Sequence, residues 1–287
     1  MKGPSRRPPG HVPLGRALSK LGIASRAEAT RLISEGRVSV DGRVVRDPET
    51  LVVPERAQVA IDGQPAARAV WRLILLNKPR GVMTTRRDPQ GRPTVFDLVS
   101  GVKGHLVAVG RLDFATSGLL LLTTDTRLAD RLTDPTNRVP RVYTVTVRDE
   151  ISDEAAASLT EGIEIDGERI AADEVTVRKR SRRETHLVVR LHEGRNREIR
   201  RMFEAVGHEV TSLRRVAFGG LELGALGPGQ WREVGPEELR RALGASSDPS
   251  TSSGSPRARS RGDLAKSGSC EVKRQPLSRA IPSSQDP

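Results

Sequence analysis

Cysteine is nearly missing from this sequence: Cys270 is the only one, and it lies in a polar stretch near the C-terminus. A single thiol builds neither an internal disulfide framework nor a cysteine-based metal site, so a reducing, cytoplasmic compartment is expected. The five histidines are scattered among unrelated segments, which leaves no metal-ligand cluster, and no metal or cofactor is expected. Long apolar runs are missing too. Leu119–Leu122 is as long as any and falls far below the roughly 20 residues needed to span a bilayer. The first residues are basic and proline-rich without an apolar signal core, so a soluble chain that is not exported is expected. No convincing G-x-G-x-x-G occurs, which weighs against a glycine-rich cofactor loop.

What the chain has in excess is positive charge. Lysine and arginine number 48 against 36 acids, a formal charge of +12 in 287 residues with a pI near 10.9. Such a chain is drawn to polyanions, and nucleic acid is the leading partner on charge alone. Its length suits a small domain followed by a medium one.

Residues 1–11 read as a flexible basic arm. Leu14, Leu18 and Leu21 then recur at helical spacing until Gly22, and Ser25 with Glu28 forms a capping box ahead of Ala29, Leu32 and Ile33. After Gly36 the period changes to two. Val38 and Val40 lead into Asp41-Gly42, a pair that tolerates the positive φ of a type I′ turn, and Val44 and Val45 begin the return strand. One more short strand is expected at Val59 and Ile61. Arg16, Lys20, Arg26, Arg31 and Arg37 are spread over this compact module, residues 12–63. Residues 64–70 read as a linker. From 71 to 243, strand-like runs alternate with helical stretches near 126–133, 152–160 and 197–206, which points to an α+β sheet domain. Residues 244–287 are poor in apolar side chains and read as a disordered tail.

Within the larger domain, Gly110-Arg-Leu-Asp-Phe-Ala-Thr-Ser-Gly118 places Asp113 on a short loop between two apolar strands. Physical grounds alone favour a loop cap or an ion-pair partner over a nucleophile at such a position. The longer stretch GRLDFATSGLLLLTTD is similar, nearly letter for letter, to the signature of the RsuA/RluB family of ribosomal RNA pseudouridine synthases. The preceding LILLNKPRGVMTT resembles the family's entry strand, RVYTVTV, LHEGRNREIRRMFEAVGHEV and LRRVAFG match its later motifs in order, and SRAEATRLISEGRVSVDG resembles the S4 RNA-binding fold that precedes the catalytic domain in that family. The resemblance covers roughly residues 13–243. It implies a helix-helix-hairpin RNA-binding domain followed by a mixed, mainly antiparallel sheet.

The reaction it implies converts a uridine to pseudouridine without gain or loss of atoms, and it needs a nucleophile, a pocket that retains the freed uracil, and proton transfer. The resemblance carries the nucleophile to Asp113, its cationic partner to Arg200 in a bidentate pair, and a stacking or proton-relaying role to Tyr143, the only tyrosine. Leu213 is implied as the apolar wall beneath the uracil. Arg111 and Leu112 are expected at the substrate, and Lys78, Arg80, Arg86, Arg87, Arg195 and Arg197 at RNA phosphates. Three positions depart from the family pattern: Arg141 replaces a common lysine, Thr126 a glycine, and Glu198 a glutamine, the last an acid able to compete for Arg200. The expected partner is ribosomal RNA or a pre-ribosomal particle, with the large-subunit RNA favoured and a monomer as the default state. A non-catalytic ribosome-assembly factor is the alternative, and an RNA methyltransferase a distant third.

Overall fold

A computed structural model of the chain describes residues 10–66 and 70–244. The expectations for the arm before residue 10, for linker residues 67–69 and for the tail after residue 244 lie outside the described residues. Among the described residues no helix is long and apolar enough to cross a membrane.

The N-terminal module opens with α1 (Leu14–Lys20) and α2 (Arg26–Ser34). The Ser25 hydroxyl accepts the Glu28 N–H at 3.1 Å, so an orphan donor of the first turn of α2 is satisfied at the residue spacing the sequence offers. Strands β1 (Val38–Val40) and β2 (Arg43–Val45) are joined through Asp41 and Gly42, at φ 50° and 80°, and β3 (Val59–Ile61) pairs with the other edge of β1. Leu14, Ala17, Leu18, Ala29, Ile33 and Val38 close the core of this module. The small pairing of Val12–Pro13 with Leu51–Val52 was not foreseen.

The larger domain is built on a mixed sheet. The strands of its main path are, in chain order, β4 (Leu73–Lys78), β5 (Ser117–Thr123), β6 (Arg141–Arg148), β7 (Glu174–Arg180), β8 (Glu184–Leu191), β9 (Val210–Phe218) and β10 (Trp231–Glu233), with the short Val107–Ala108 and Leu221–Glu222 paired off it. In space they run β7-β8-β6-β9-β5-β4-β10. Every pairing along this path is antiparallel except β9 with β5, which is parallel. Helices α3 (Thr126–Thr133), α4 (Asp153–Glu161), α5 (Glu198–Ala205) and α6 (Pro236–Gly244) pack around it.

The unbroken apolar runs of β4 and β5 follow from burial on both faces. Leu73, Leu75, Leu119 and Leu121 enter one core with Leu128, Leu132 and Leu239, whereas Ile74, Leu76, Leu120 and Leu122 enter the other with Val145, Leu187, Ile199 and Phe203. β9 continues through Arg214 and Arg215 to Phe218, although two consecutive arginines interrupt its apolar pattern.

The parallel contact brings the segment after Asp113 against β9, with Ser117 opposite Arg214 and Gly118 opposite Arg215. Gly118 sits at φ +103°, and a Cβ there would lie 2.1 Å from the Arg215 carbonyl oxygen. Only a residue without a side chain permits that approach. Gly118→Ala is therefore expected to cost at least about 2 kcal/mol of stability, measured as a lowered urea midpoint; an unchanged midpoint would contradict this packing.

Candidate active site

The turn carrying Asp113 is anchored from below. Its Thr116 N–H donates to the Asp113 carbonyl at 3.0 Å, and the Lys78 ammonium donates to the carbonyls of Thr116 at 2.8 Å and of Asp113 and Pro79 at 3.1 Å each. Thr84 adds a second clamp, its hydroxyl donating to the Leu112 carbonyl at 2.7 Å, and the Gly81 N–H meets the Phe114 carbonyl at 2.9 Å. Lys78 is fully buried, and burial lowers its pKa to about 8 against the opposing pull of Asp113. This corrects the expectation that Lys78 touches RNA, because its three donors are committed to carbonyl groups inside the fold. Arg86 is likewise pinned, its guanidinium 4.4 Å from the Phe96 ring centre and bonded to the Leu106 carbonyl.

Above the turn lies a cavity of about 510 Å³ that gathers Arg111, Leu112, Asp113, Tyr143, Arg195, Arg197 and Leu213 from distant parts of the chain. Asp113 is half-buried, and Tyr143 is only 8 % exposed. A larger depression of about 1170 Å³, bordered by Trp71, Leu132 and Leu243, contains none of the residues expected to act on substrate.

Arg200 is placed differently from expectation. It approaches Asp113 closely enough to feel its charge, but the two form no ion pair. Its Nη1 donates to the Val210 carbonyl at 2.8 Å, while Nε and Nη2 are buried without a hydrogen-bond partner among the described residues. Burial first, and then the charge of Arg197, lower its pKa from the usual arginine value. The bidentate pair is thus not made: β9 holds the guanidinium through a backbone carbonyl first.

Glu198 does not compete for Arg200 either. It is 5 % exposed, lines the cavity and accepts the Arg195 N–H at 3.0 Å. Burial is the main cause that pushes its pKa up. The Arg195 side chain itself is held by Glu193 at 2.7 Å and Glu168 at 3.0 Å.

The arginines expected to bind RNA in the N-terminal module lie elsewhere. Arg37 forms a two-pronged pair with Asp62, and Arg31 pairs with Glu28 and Glu35. Arg16, Lys20 and Arg26 line a cleft of about 230 Å³ shared with Val107, Thr126 and Arg127 of the larger domain. The cavity residues not singled out as site residues from sequence include Arg141, Arg215 and Phe218. The signal available for Arg215 was its place two residues after Leu213, which puts both side chains on one face of the strand.

Comparison with known proteins agrees with this arrangement. Residues 72–205 match the RNA pseudouridylate synthase family and residues 12–56 match the S4 domain. An RNA pseudouridine synthase of Aquifex aeolicus is 38 % identical over 82 % of this chain and 94 % of its own length. Proteins named ribosomal large subunit pseudouridine synthase B are 40 % identical in Yersinia pestis, over 77 % of this chain and 72 % of the relative, and 36 % identical in Bacillus subtilis, over 79 % and 94 %. A solved pseudouridylate synthase superposes with a TM-score of 0.57 at 25 % identity, covering 80 % of this chain and 99 % of that one. The fold and cavity thus define an RNA-modifying enzyme with an appended S4 module. The chain belongs to the RNA pseudouridine synthase family.

Two measurements test the site's construction. Lys78→Met would leave the Pro79 and Thr116 carbonyls without the Lys78 donor and the Asp113 carbonyl with the Thr116 N–H alone, and is expected to cost about 2–3 kcal/mol, read from urea unfolding, with loss of catalytic rate. A raised carboxyl pKa contributes stability that is full below the unfolded value of 4.5 and is lost as pH rises through the folded value. Glu198→Gln is therefore expected to melt higher than wild type at pH 7–8 and to lose that advantage near pH 4. A constant difference across the range would show that Glu198 is not the titrating group.

Proposed function

We propose that this chain isomerises one uridine of large-subunit ribosomal RNA to pseudouridine, with Asp113 as the nucleophile. The observation that carries the reading is the convergence of Asp113, Tyr143 and Leu213 on one cavity, although they come from a turn and two separate strands. A carboxylate, an aromatic ring with a hydroxyl, and an apolar wall are what an extruded uridine requires: attack, stacking and retention of the freed base. The large-subunit assignment is supported by the printed names of the relatives in Yersinia pestis and Bacillus subtilis.

Arg200 acts in this reading as a buried cation that biases the Asp113 side chain through space. Arg111 and Arg197, exposed at the cavity edge, meet the phosphates that flank the target. Extruding a base costs on the order of a few kcal/mol, and phosphate contacts offset this without choosing the site. The S4 module, residues 12–63, contributes such contacts through Arg16, Lys20 and Arg26, with Arg31 and Arg37 held in ion pairs. The enzyme works as a monomer in the cytoplasm, and catalysis by the domain spanning residues 71–243 needs no cofactor.

The test is pseudouridine mapping of both ribosomal RNAs by carbodiimide labelling and reverse-transcription stops. Cells lacking the gene are compared with cells complemented by wild type or Asp113→Asn. One large-subunit stop should vanish on deletion and return only with wild type. No change on deletion would leave the assembly-factor alternative standing, and restoration by Asp113→Asn would remove Asp113 from the chemistry.

A further inference from the structure

Two guanidinium groups of the cavity have no task in the reading above. Arg141 and Arg215 are 6 % and 2 % exposed, yet both line the cavity beside Asp113 and Tyr143. They come from adjacent strands, with Arg215 directly across from Tyr143 and Arg141 across from Phe218. Strict alternation would send Arg215 and Phe218, which are three residues apart, to opposite faces of β9. A bulge at Val216 resets it: Ala217 pairs with Val142, the next pair is Arg215 with Tyr143, and both Arg215 and Phe218 reach the cavity. The Phe218 ring then lies 5.3 Å from the Arg141 guanidinium and 5.1 Å from that of Arg215.

The protein satisfies these cations only in part. Arg215 Nε donates to the Leu119 carbonyl at 2.7 Å, and Arg141 Nη1 to the His192 carbonyl at 2.7 Å. Arg215 Nη2 is buried and has no hydrogen-bond partner among the described residues. Arginine stays charged in proteins, and a buried charged donor without an acceptor is costly. A ligand atom arriving in the cavity would complete it. Phosphates of an extruded nucleotide remain with the RNA strand at the cavity mouth, where Arg111 and Arg197 are exposed; the base penetrates deepest. Arg141 and Arg215, the least exposed arginines lining the cavity, are therefore the candidates for contact with the base.

We propose that Arg215, backed by Arg141, is a further catalytic residue that donates to a carbonyl oxygen of the uracil and stabilises the charge the ring acquires. The inference rests on the synthase reading. As the Asp113 carboxylate bonds to C1′ and the C1′–N1 bond breaks, the electron pair of that bond stays on N1 and spreads to the ring oxygens. After the ring turns, C5 bonds to C1′ while the Asp113–C1′ bond breaks and frees the carboxylate, the C5 proton leaves and N1 takes up a proton, so the reaction balances without oxidant or reductant. Between these events the ring carries excess negative charge. A fixed guanidinium stabilises it without giving up its own proton.

The experiment uses the full chain and the RNA identified by mapping, with single-turnover rates at saturating enzyme and RNA affinity across a salt series. Arg215→Met is expected to slow the reaction about 10²–10³-fold with RNA affinity and salt dependence unchanged, and Arg215→Lys to recover part of the rate. A second arm places 5-fluorouridine at the target. Fluorine draws electron density from the ring, so the deficit of Arg215→Lys, read as disappearance of the starting nucleoside, should shrink. An equal deficit on both RNAs would show a purely structural role, and weakened affinity at an unchanged single-turnover rate would assign Arg215 to a phosphate; either result overturns the proposal. If Arg215→Met does not fold, the Arg215→Lys comparison still decides. Wild-type inactivity on the RNA would sink the substrate reading itself, whereas full wild-type activity beside unimpaired Arg215 variants sinks only this inference.

Discussion

Three carbonyl oxygens, those of Pro79, Asp113 and Thr116, converge on the ammonium of Lys78, and the geometry of the active site descends from that contact. A tight turn leaves carbonyls that regular sheet pairing cannot satisfy, and inside a protein each needs a donor. Lys78 is the last residue of β4 and pairs across the sheet with Gly118, the residue that lets β5 approach β9. One side chain thus ties the turn of Asp113 to the rigid center of the sheet. From Gly118 the constraint passes to the Arg215 backbone, and from Arg215 across the ladder to Tyr143. The catalytic turn, the close strand approach and the cavity wall are consecutive steps along one connected framework.

The cavity is strongly cationic, with Arg111, Arg141, Arg195, Arg197 and Arg215 set against Asp113 and Glu198. These charges do different work because they sit at different depths. Exposed guanidinium groups at the mouth act through water and salt and suit a phosphate backbone. Buried ones act in a poorly screened environment and suit a charge that appears only during reaction. The N-terminal module adds a second cationic region beside the larger domain, bordered by the exposed Arg127–Glu55 pair at 3.0 Å. A pair so exposed contributes little to stability; its effect is on where charge is displayed.

Much of the architecture was legible in the sequence because local physics specifies it. The Ser25 cap, the Asp41-Gly42 turn and the boundaries of α3 follow from residues within a few positions of one another. The family motifs brought Asp113, Tyr143 and Leu213 forward as site residues, and the fold gathers all three. Lys78 was misjudged because a lysine beside proline and arginine reads as surface charge, and only the return of the chain from Asp113 to Thr116 supplies the carbonyls that bury it. The strand β10 and helix α6 were missed because Trp231–Glu233 is short and its pairing with β4 is more than 150 residues distant in sequence.

The sequence by itself determined that this is a basic, two-part α+β chain with the motifs of a pseudouridine synthase, since composition, turn chemistry and motif order are properties of neighbours along the chain. The tertiary structure decided which charges face the cavity. Lys78 turned inward to hold a turn, Arg200 bonded to Val210 in place of Asp113, and Arg215 took the Leu119 carbonyl at the cavity wall, where a bulge at Val216 brings Phe218 to the same face. The physical reason is common to all three. A charged side chain takes its role from the acceptors that distant segments bring within hydrogen-bond reach, and no local pattern records which acceptors those will be.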